Sequence, residues 1–426
     1  MSKFSTQSQS LDDWLLYLES IHPSEIKLGV TRVKSVAQKL GLLNPRGKII
    51  IVGGTNGKGS TCAFLEHLIL ATGATTGVFS SPHVIRYNER VRINTAELDD
   101  HSHVDAMRLI EQQRGDVCLT YFEYNTLVAL KLMNDHDVDF LILEVGLGGR
   151  LDSTNIVDAD LAIITSIDLD HQSWLGDTRE QVATEKAGIF RVSQLVVCGE
   201  PNPPQTLIDH ANSLNCMVSY KGKQFSFKQY KQQSNQQSKQ HWSWHSAAIN
   251  VDSLPATKLP TTNAATALEA FKLLGLSLPH DKLVKVLGST ALPGRLQSIS
   301  QLPEVVLDVA HNPEAGRYLA SWLSSQTQYS RVHCVCAMLG DKDSQSTLSV
   351  VEPYINQWYL ADLDCHRGAK ATQLQPHVDN EKVVGCFDNV SHALLQAQQS
   401  ADENDLILVF GSFYTVCEVL QQPKYR

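Results

Sequence analysis

The chain has 426 residues, of which 42% are hydrophobic and 19% are charged, enough apolar material for two or three packed domains. Lys and Arg number 36 against 45 Asp and Glu; this acidic balance argues against a nucleic-acid partner, which usually requires a basic face. No apolar run approaches the roughly 18 residues of a membrane span, and the polar N-terminus lacks an apolar signal core. Nine cysteines without zinc-site spacing indicate a reducing compartment. We therefore expect a soluble, cytoplasmic protein that does not bind membranes.

Short apolar runs alternate with helix-period stretches in the first half of the chain, which predicts an α/β fold with parallel strands. The predicted strands are Lys48–Val52, Thr75–Phe79, Val138–Val145, Leu161–Ile167 and Leu195–Cys198. The predicted helices are Ser60–Leu70, Val104–Gln113, Glu123–Asn134 and Thr178–Ile189. Asp177 followed three residues later by Glu180 predicts a capping box at the start of the last helix.

The rhythm changes at Cys216–Asn250, which predicts short strands and turns, with the Gln-rich run Gln229–Gln240 as an exposed hairpin loop or, alternatively, a flexible binding insert. Helices are predicted at Asn263–Leu274 and Lys282–Leu287. A second α/β rhythm then begins, with strands at Val305–Val309, Arg331–Ala337, Gln357–Ala361, Lys382–Gly385 and Leu406–Phe410 and helices at Pro313–Leu323, Ser391–Ala397 and Ser412–Leu420. We place the domain boundary at the Pro-Gly pair ending in Gly294. The predicted domains are therefore 1–294 and a smaller 295–426.

The first predicted strand runs into a glycine-rich turn, Gly53–Thr61, which is followed by a helix. This order surrounds an anion with backbone N–H groups and a helix N-terminus. Lys58 would reach the outer phosphates of a nucleotide, and Ser60 or Thr61 could ligate Mg²⁺. The strict consensus is not met, because Val52 stands at its first glycine and Gly59 follows the lysine. A glycine turn without a ligand has no need of lysine and paired hydroxyls, so the sequence predicts nucleotide binding.

Acidic and basic residues follow the neighbouring predicted strands. Phe140–Glu144 is an apolar strand that ends in a carboxylate, as the metal-side acid of a phosphate-loop enzyme does. The glycines at 146, 148 and 149 could be taken for a dinucleotide fingerprint, but Leu151 stands where its third glycine should be. His171, near the end of another strand, would suit a metal ligand as well as a structural role. Lys186 lies late in a helix, and by itself it would be interpreted as a solvated charge that interacts favourably with the helix dipole.

Together the motifs resemble the folylpolyglutamate synthase family, and in particular its bacterial members that are also dihydrofolate synthases. They occur in the family's order from about Leu11 to Thr415, and they are Gly54–Ser60, Ser80–His83, Glu89–Ile93, Thr120–Glu123, Glu144–Asp152, Asp170-His171, Glu185–Ile189, Leu292–Arg295, Asp308–Pro313 and Asp341–Asp343. The family's phosphate loop has the Lys-Gly-Ser/Thr order, which accounts for the mismatch to the strict consensus.

The resemblance implies a phosphate-loop Mur-ligase-like ATPase domain with a parallel-rich sheet, a smaller C-terminal Rossmann-like domain, and an active site in the cleft between them. It implies that ATP binds at Thr55, Asn56, Gly57, Lys58, Gly59, Ser60, Asn263, Arg295 and Asp308. It implies metal ligands for two Mg²⁺ ions at Ser60, Ser81, Glu144, His171 and Lys186, with Lys186 carried as N6-carboxylysine. The implied pterin pocket comprises Glu25, Ile26, Lys27, Leu28, Thr120, Tyr121, Phe122, Glu123, Leu151, Asp152 and Ser153.

The implied activity is an ATP-dependent amide ligase of folate biosynthesis and one-carbon metabolism. It would add L-glutamate to 7,8-dihydropteroate, giving dihydrofolate, and to folates for polyglutamylation, through an acyl phosphate. The expected catalytic residues are Lys58, Glu144, His171, Lys186 and His311. His311 would bind phosphate or glutamate, or alternatively cap or pack a helix. We expect a monomer whose partners are small-molecule substrates.

Three other functions remain open at this point. A monofunctional folylpolyglutamate synthase is the nearest alternative, although the Thr120–Glu123 loop favours dual activity. A Mur-type ligase acting on a UDP-linked peptide usually carries an additional N-terminal domain, and the stretch before the phosphate loop is short. A nucleotide switch that hydrolyses ATP without forming a bond would need the phosphate loop but not Asp308 and His311.

Overall fold

In the computed structural model, the residues described are 10–22, 27–234, 237–247 and 249–425. The chain forms two compact units, one of residues 1–83 and 87–290 and the other of residues 84–86 and 291–426. Within the described ranges, no helix has the length and apolar character needed to cross a membrane.

The described part of the first unit contains an eight-stranded sheet with the order β4-β3-β2-β5-β1-β6-β7-β8. Its strands are β1 Lys48–Gly53, β2 Thr76–Phe79, β3 Val91–Ile93, β4 Ala96–Glu97, β5 Phe140–Glu144, β6 Leu161–Ile164, β7 Leu195–Cys198 and β8 Met217–Tyr220. The helices are α1 Leu11–Ser20, α2 Thr31–Lys39, α3 Lys58–Leu70, α4 Asp100–Arg114, α5 Tyr121–Asp135, α6 Gln172–Leu175, α7 Arg179–Ala187, α8 Gln205–Ser213, α9 Thr261–Leu273 and α10 His280–Ser289.

The three central strands, β5, β1 and β6, are parallel and almost wholly buried. Continuous apolar strands of this kind need helices on both sheet faces. Their register pairs Val52 with Glu144 and Gly53 with Ile164. The segments that follow these strands therefore leave the sheet side by side at one edge, where ligands bind in open α/β sheets.

The described residues of the Gln-rich run, 229–234 and 237–240, are β-strand and not loop. They lie in a three-stranded antiparallel sheet made of β9 Phe225–Ser234, β10 Gln237–Ser246 and β11 Ile249–Pro255, in which Gln229 pairs with Trp242. The prediction of an exposed loop was wrong because a two-stranded ladder satisfies the backbone of polar residues as well as apolar ones. Phe225, Trp242 and Trp244 are buried and give the hairpin its apolar face.

The second unit has a six-stranded sheet in its described residues, with the order β12-β13-β17-β14-β15-β16. Its strands are β12 Gln297–Gln301, β13 Glu304–Asp308, β14 Val332–Cys336, β15 Gln357–Ala361, β16 Val383–Phe387 and β17 Leu406–Phe410. Its helices are α11 Pro313–Ser324, α12 Ser344–Val351, α13 Ala371–Leu374, α14 Val390–Ser400 and α15 Phe413–Leu420. All pairs are parallel except β12 with β13, and buried side chains form a core on each face.

The predicted fold class, α/β with a parallel-rich first sheet and a smaller α/β domain after it, is confirmed. One detail at α7 was wrong. The residue that caps this helix is Thr178, whose hydroxyl accepts the Gln181 N–H, in place of the predicted Asp177 and Glu180. Both pairs have the same spacing, so the sequence could not decide which residue takes the extended conformation of the cap.

Candidate functional site

The phosphate loop between β1 and α3 has a backbone that side chains would obstruct. Gly57 caps α3 in the left-handed conformation, with φ of 82°, and a Cβ at this position would lie 2.5 Å from Asn263 Oδ1. At Gly54, with φ of 147°, a Cβ would overlap the Thr165 hydroxyl. The loop therefore needs glycine at both positions, and it presents its backbone to the space before the N-terminus of α3, where an anion is stabilised.

The segment that follows β6 holds this loop in place. The Thr55 N–H donates to Ser166 O at 2.9 Å, and the Thr55 hydroxyl donates to Asp168 O at 2.9 Å. The Asn56 N–H donates to Ser166 Oγ at 3.1 Å, and Thr165 Oγ1 donates to Asn56 O at 2.6 Å. Because these bonds satisfy the polar groups on one side of the loop, its shape is fixed before any ligand binds.

Lys58 and two hydroxyl residues lie in the first turn of α3. Lys58 Nζ donates to the carbonyl oxygens of Gly54 and Thr55, at 3.0 Å each, so the ammonium group lies over the loop. Ser60 is buried. Thr61 is also buried, and its hydroxyl has no hydrogen-bond partner among the described residues. An ammonium group over a glycine-rich loop at a helix N-terminus, followed by hydroxyls, fits the triphosphate and divalent ion of ATP.

Glu144 ends β5, the strand next to the phosphate loop. Its side chain is 5% exposed, and Oε2 accepts the Ser81 N–H at 3.0 Å. Ser80, the residue before, is held by Arg92, which also forms a partly buried ion pair with Glu66 of α3 at 2.9 Å. The carboxylate and the Ser81 segment are thus brought together beside the phosphate loop. A buried carboxylate with a serine at its side is an oxygen donor set that suits Mg²⁺.

Lys186 is buried, with 3% of its surface exposed, so the alternative of a solvated surface charge is wrong. The glycine segment after β5 packs directly on the end of α7: a Cβ on Gly149 would lie 3.0 Å from the carbonyl oxygens of Glu185 and Lys186. Arg150 N donates to Glu185 O at 2.7 Å, and its guanidinium pairs with the Glu185 carboxylate at 2.7 Å. The glycines therefore allow this loop to pack closely on α7. In a dinucleotide-binding turn, by contrast, they would let the backbone approach a pyrophosphate.

His171 follows β6 and stands immediately before α6. It has left-handed backbone angles, with φ of 51°, and its N–H donates to Asp170 Oδ1 at 2.8 Å. Its side chain is exposed. The described residues contain no group of three or more His, Cys, Asp or Glu side chains that could hold a metal ion. The predicted ligand set includes only two residues of these types, because it also uses Ser60, Ser81 and a carbamate on Lys186.

The segments of the predicted pterin pocket lie together. Gly29 N, directly after Leu28, donates to Leu151 O at 3.1 Å, and Ser153 Oγ lies 2.5 Å from Thr126 Oγ1 on α5. Tyr121 begins α5, and the Phe122 ring fills the space beside Gly146, where a Cβ would lie 2.4 Å from the ring. Glu25 and Ile26 lie outside the described residues.

Two carboxylates in this region are buried. Glu123 closes a capping box with Thr120, in which Oε2 accepts the Thr120 N–H at 2.8 Å. Asp152 accepts from Leu147 N and from Thr154; burial raises the pKa of its carboxyl above the ordinary value, and these hydrogen bonds act in the opposite direction.

Sequence reasoning missed two arginines of this region. Arg32 of α2 forms an ion pair with Glu123 at 2.8 Å. Arg90 is buried, with its Nε donating to His83 Nδ1 at 2.8 Å and its guanidinium 5.4 Å from the centre of the Tyr121 ring. Arg90 lies in the family motif Glu89–Ile93, which by itself indicates no role for it in the pocket, whereas Arg32 carries no local sequence signal. Burial and the charge of Arg90 lower the pKa of His83 to about 4.

In the second unit, Asp308 ends β13 and is 7% exposed. Its carboxylate accepts from Leu296 N at 3.0 Å and Ala310 N at 2.8 Å. Burial raises the pKa of this carboxyl, and the charge of Arg295 lowers it. The Arg295 guanidinium lies 5.1 Å from the centre of the Phe413 ring. The charge of Arg295, in the linker, thus acts on the Asp308 carboxylate at the end of β13.

His311 does not cap α11. Asn312 takes that role, with Oδ1 accepting the Ala315 N–H at 3.0 Å. His311 Nδ1 lies 2.8 Å from Val309 O, and the ring is 6.3 Å from the Phe413 ring. Because Asn312 satisfies the helix end, the capping alternative for His311 is wrong.

Comparisons with known proteins cover nearly the whole chain. Residues 52–270 match the Mur ligase middle domain, and residues 294–413 match the Mur ligase glutamate ligase domain. The dihydrofolate synthase/folylpolyglutamate synthase of Escherichia coli K12 is 43% identical over 96% of this chain and 95% of its own. The enzyme of the same name from Bacillus subtilis 168 is 30% identical over 94% of this chain and 96% of its own.

Solved structures that are similar to this chain belong to enzymes of the same kind. Escherichia coli FolC in complex with DHPP and ADP is similar with a TM-score of 0.92 and 42% identity, over 98% of each chain. A bifunctional folylpolyglutamate synthase/dihydrofolate synthase solved with Mn, AMPPNP and L-glutamate is similar with a TM-score of 0.90 and 44% identity, over 98% of this chain and 99% of the other.

Proposed function

This chain belongs to the dihydrofolate synthase/folylpolyglutamate synthase family of the Mur ligases, and from that premise we propose that it adds L-glutamate, at the expense of ATP, both to 7,8-dihydropteroate and to folates. The resemblance drawn from the motifs is thereby confirmed, as is the class of enzyme, a ligase that joins an acid to an amino acid.

The observation that carries the proposal is the cradle formed by the phosphate loop. Glycine is required at 54 and 57, Lys58 lies over the loop, and the buried carboxylate of Glu144 ends the adjacent strand. A cradle of N–H groups binds the phosphates of ATP, and an acid at a neighbouring strand end is where a divalent ion is held.

The chemistry begins with an unreactive carboxylate, which must acquire a leaving group before an amine can displace it. The carboxylate of pteroate or folate attacks the γ-phosphate of ATP and forms an acyl phosphate and ADP. The amine of glutamate then attacks the acyl carbon, and phosphate leaves. Lys58 and the helix N-terminus offset the repulsion between the carboxylate and the triphosphate, which is the main electrostatic obstacle.

The residues present fit a divalent ion. Its ligands would be Ser60, Ser81, Glu144, His171 and Lys186, the last as N6-carboxylysine, and the ions would be Mg²⁺, two in number. When bound, they supply positive charge to the phosphate and carboxylate oxygens. The carbamate would convert a buried ammonium, which is costly to bury, into an oxygen donor of opposite charge.

In the first unit, the pterin end of the substrate would bind among Glu25, Ile26, Lys27, Leu28, Thr120–Glu123 and Leu151–Ser153, and the nucleotide among Thr55–Ser60 and Asn263. In the second unit, Arg295 and Asp308 would bind nucleotide, and His311 would bind phosphate or glutamate. We propose a monomer with small-molecule substrates as its partners.

One assay tests the function against its alternatives. ADP release is measured with glutamate alone, with glutamate and dihydropteroate, and with glutamate and tetrahydrofolate. Turnover with both pterin substrates is expected. Turnover with tetrahydrofolate alone would indicate the monofunctional synthase, and ADP release that needs no acceptor would indicate a nucleotide switch.

A further inference from the structure

Arg32 joins two segments that are far apart in sequence. From the first turn of α2, its NH2 group donates to Lys27 O at 2.9 Å and to Glu123 Oε1 at 2.8 Å. The carboxylate of Glu123 is 4% exposed, whereas the Arg32 side chain is 25% exposed. A charge-assisted hydrogen bond to a buried carboxylate is stronger than a surface ion pair, because water competes less for it.

The helix cap does not require this arginine. The capping box of α5 uses Glu123 Oε2, which accepts the Thr120 N–H, and Glu123 N, which donates to Thr120 Oγ1 at 3.2 Å. Arg32 binds the other carboxylate oxygen, Oε1. The cap would form with a glutamine at 123 as well, so the ion pair serves something other than the start of the helix.

The arginine also keeps an unsatisfied donor. Arg32 Nε is buried and has no hydrogen-bond partner among the residues that the structure describes. A dehydrated guanidinium nitrogen is unfavourable, and such groups commonly await a ligand or an ordered water. Its neighbours, Lys27 and Glu123, are both in segments proposed to bind the pterin end of the substrate.

We propose that Arg32 is a positioning residue for the pterin-end substrate: it holds the Lys27–Gly29 segment against the start of α5, so that both face the same ligand. The inference rests on the proposed function. Gly29, held by Leu151 O, fixes the other end of the same short segment. Lysine keeps the charge but carries it on a compact ammonium at the end of a flexible chain, without the fixed planar geometry of the guanidinium, so it would replace arginine incompletely.

The test compares Arg32→Gln, Arg32→Lys and Glu123→Gln with the wild-type enzyme. Arg46→Gln is the matched control. Arg46 precedes the N-terminal end of β1, whereas the phosphate loop follows the C-terminal end, and its side chain is 85% exposed. For each protein, KM for dihydropteroate, KM for ATP, kcat and the melting temperature are measured.

Arg32→Gln removes the hydrogen bonds to Lys27 O and Glu123 Oε1, and we expect it to raise KM for dihydropteroate by about tenfold, while KM for ATP stays near the wild-type value. Arg32→Lys should recover part of this loss. Glu123→Gln keeps the helix cap, and combining it with Arg32→Gln should add little further effect, because the two changes remove one shared interaction.

If the role of Arg32 is purely structural, the variants will have a lower melting temperature and a lower kcat, and the ratio of the two KM values will not change. That result would overturn the inference. If Arg32→Gln does not fold, the same ratio in Arg32→Lys decides. If the wild-type enzyme is active and the variants have unchanged KM values, the inference is refuted but the proposed function stands. If the wild-type enzyme shows no turnover that depends on dihydropteroate, the proposed function is refuted, and the inference with it.

Discussion

The side-chain amide of Asn263 occupies the space beside Gly57 that a Cβ would need, with Oδ1 2.5 Å from that position. The two residues are more than two hundred positions apart in the chain, yet α9 places the amide directly against the turn that starts α3. Asn263 is therefore a wall of the phosphate loop, and the loop tolerates no side chain at this position.

The first prediction concerns this contact. Gly57→Ala should abolish ATP binding, because both the left-handed backbone and the amide of Asn263 oppose a methyl group. Gly73→Ala is the matched control: Gly73 also has positive φ, of 97°, but a Cβ there meets nothing within 4 Å. Both variants carry a backbone strain of roughly 1–2 kcal/mol, so a loss of ATP affinity by calorimetry that is confined to Gly57→Ala reports a change in the phosphate loop and not a general loss of stability. Equal affinities in the two variants would contradict the prediction.

The second prediction concerns Lys58. Lys58→Ala should lower kcat by on the order of 100-fold or more, since it removes a preorganised charge at the phosphates. The loss should be the same with dihydropteroate and with tetrahydrofolate, because one ATP site serves both reactions. Lys48→Ala, an exposed lysine at the start of β1, provides the control. Retention of either activity would show two separate sites.

The third prediction concerns the buried Lys186. Lys186→Ala should reduce kcat on the order of 100-fold through the loss of a proposed metal ligand, and short carboxylates added to the assay should restore part of it by replacing the carbamate. Lys34→Ala, at an exposed lysine of α2, is the control. Mass spectrometry of the intact wild-type protein, under conditions that preserve carbamates, checks the modification directly. Near-normal turnover of Lys186→Ala would remove this residue from the site.

The fourth prediction concerns pH and the buried His103. Its side chain is fully buried beside the Tyr87 ring, at 5.2 Å, and burial lowers its pKa to about 4, against the raising effect of Asp100 and Asp99. Because the folded pKa lies below the unfolded value, the stability that the neutral ring contributes is present above pH 6.5 and is lost as pH falls towards 4.

The resulting loss should be roughly 3 kcal/mol in the free energy of unfolding between pH 7 and pH 4. Denaturant unfolding at the two pH values measures it. His103→Phe keeps a ring against Tyr87 and cannot be protonated, so its stability should fall less over this range. An equal fall in the variant and the wild type would assign the loss to other groups.

Several features followed directly from local sequence. The strands Leu195–Cys198, Gln357–Ala361 and Leu406–Phe410 have the predicted bounds, because runs of apolar residues between turns signal buried strands. A hairpin was predicted in this region, but the extension of β9 and β10 through the Gln-rich run was missed. It depends on pairing with a partner strand and on two buried tryptophans, and neither is visible in a polar run read by itself.

The sequence by itself determined the α/β class, the glycine-and-lysine phosphate loop and the family, since each depends on residue types at fixed short spacings. The tertiary structure alone decided that Lys186 is buried, that Asn312 and not His311 caps α11, that Asn263 closes on Gly57 and that Arg32 bridges Lys27 and Glu123. Burial, and pairing between distant residues, arise when helices and strands pack on one another, and no periodicity within a short segment encodes which partner will be met.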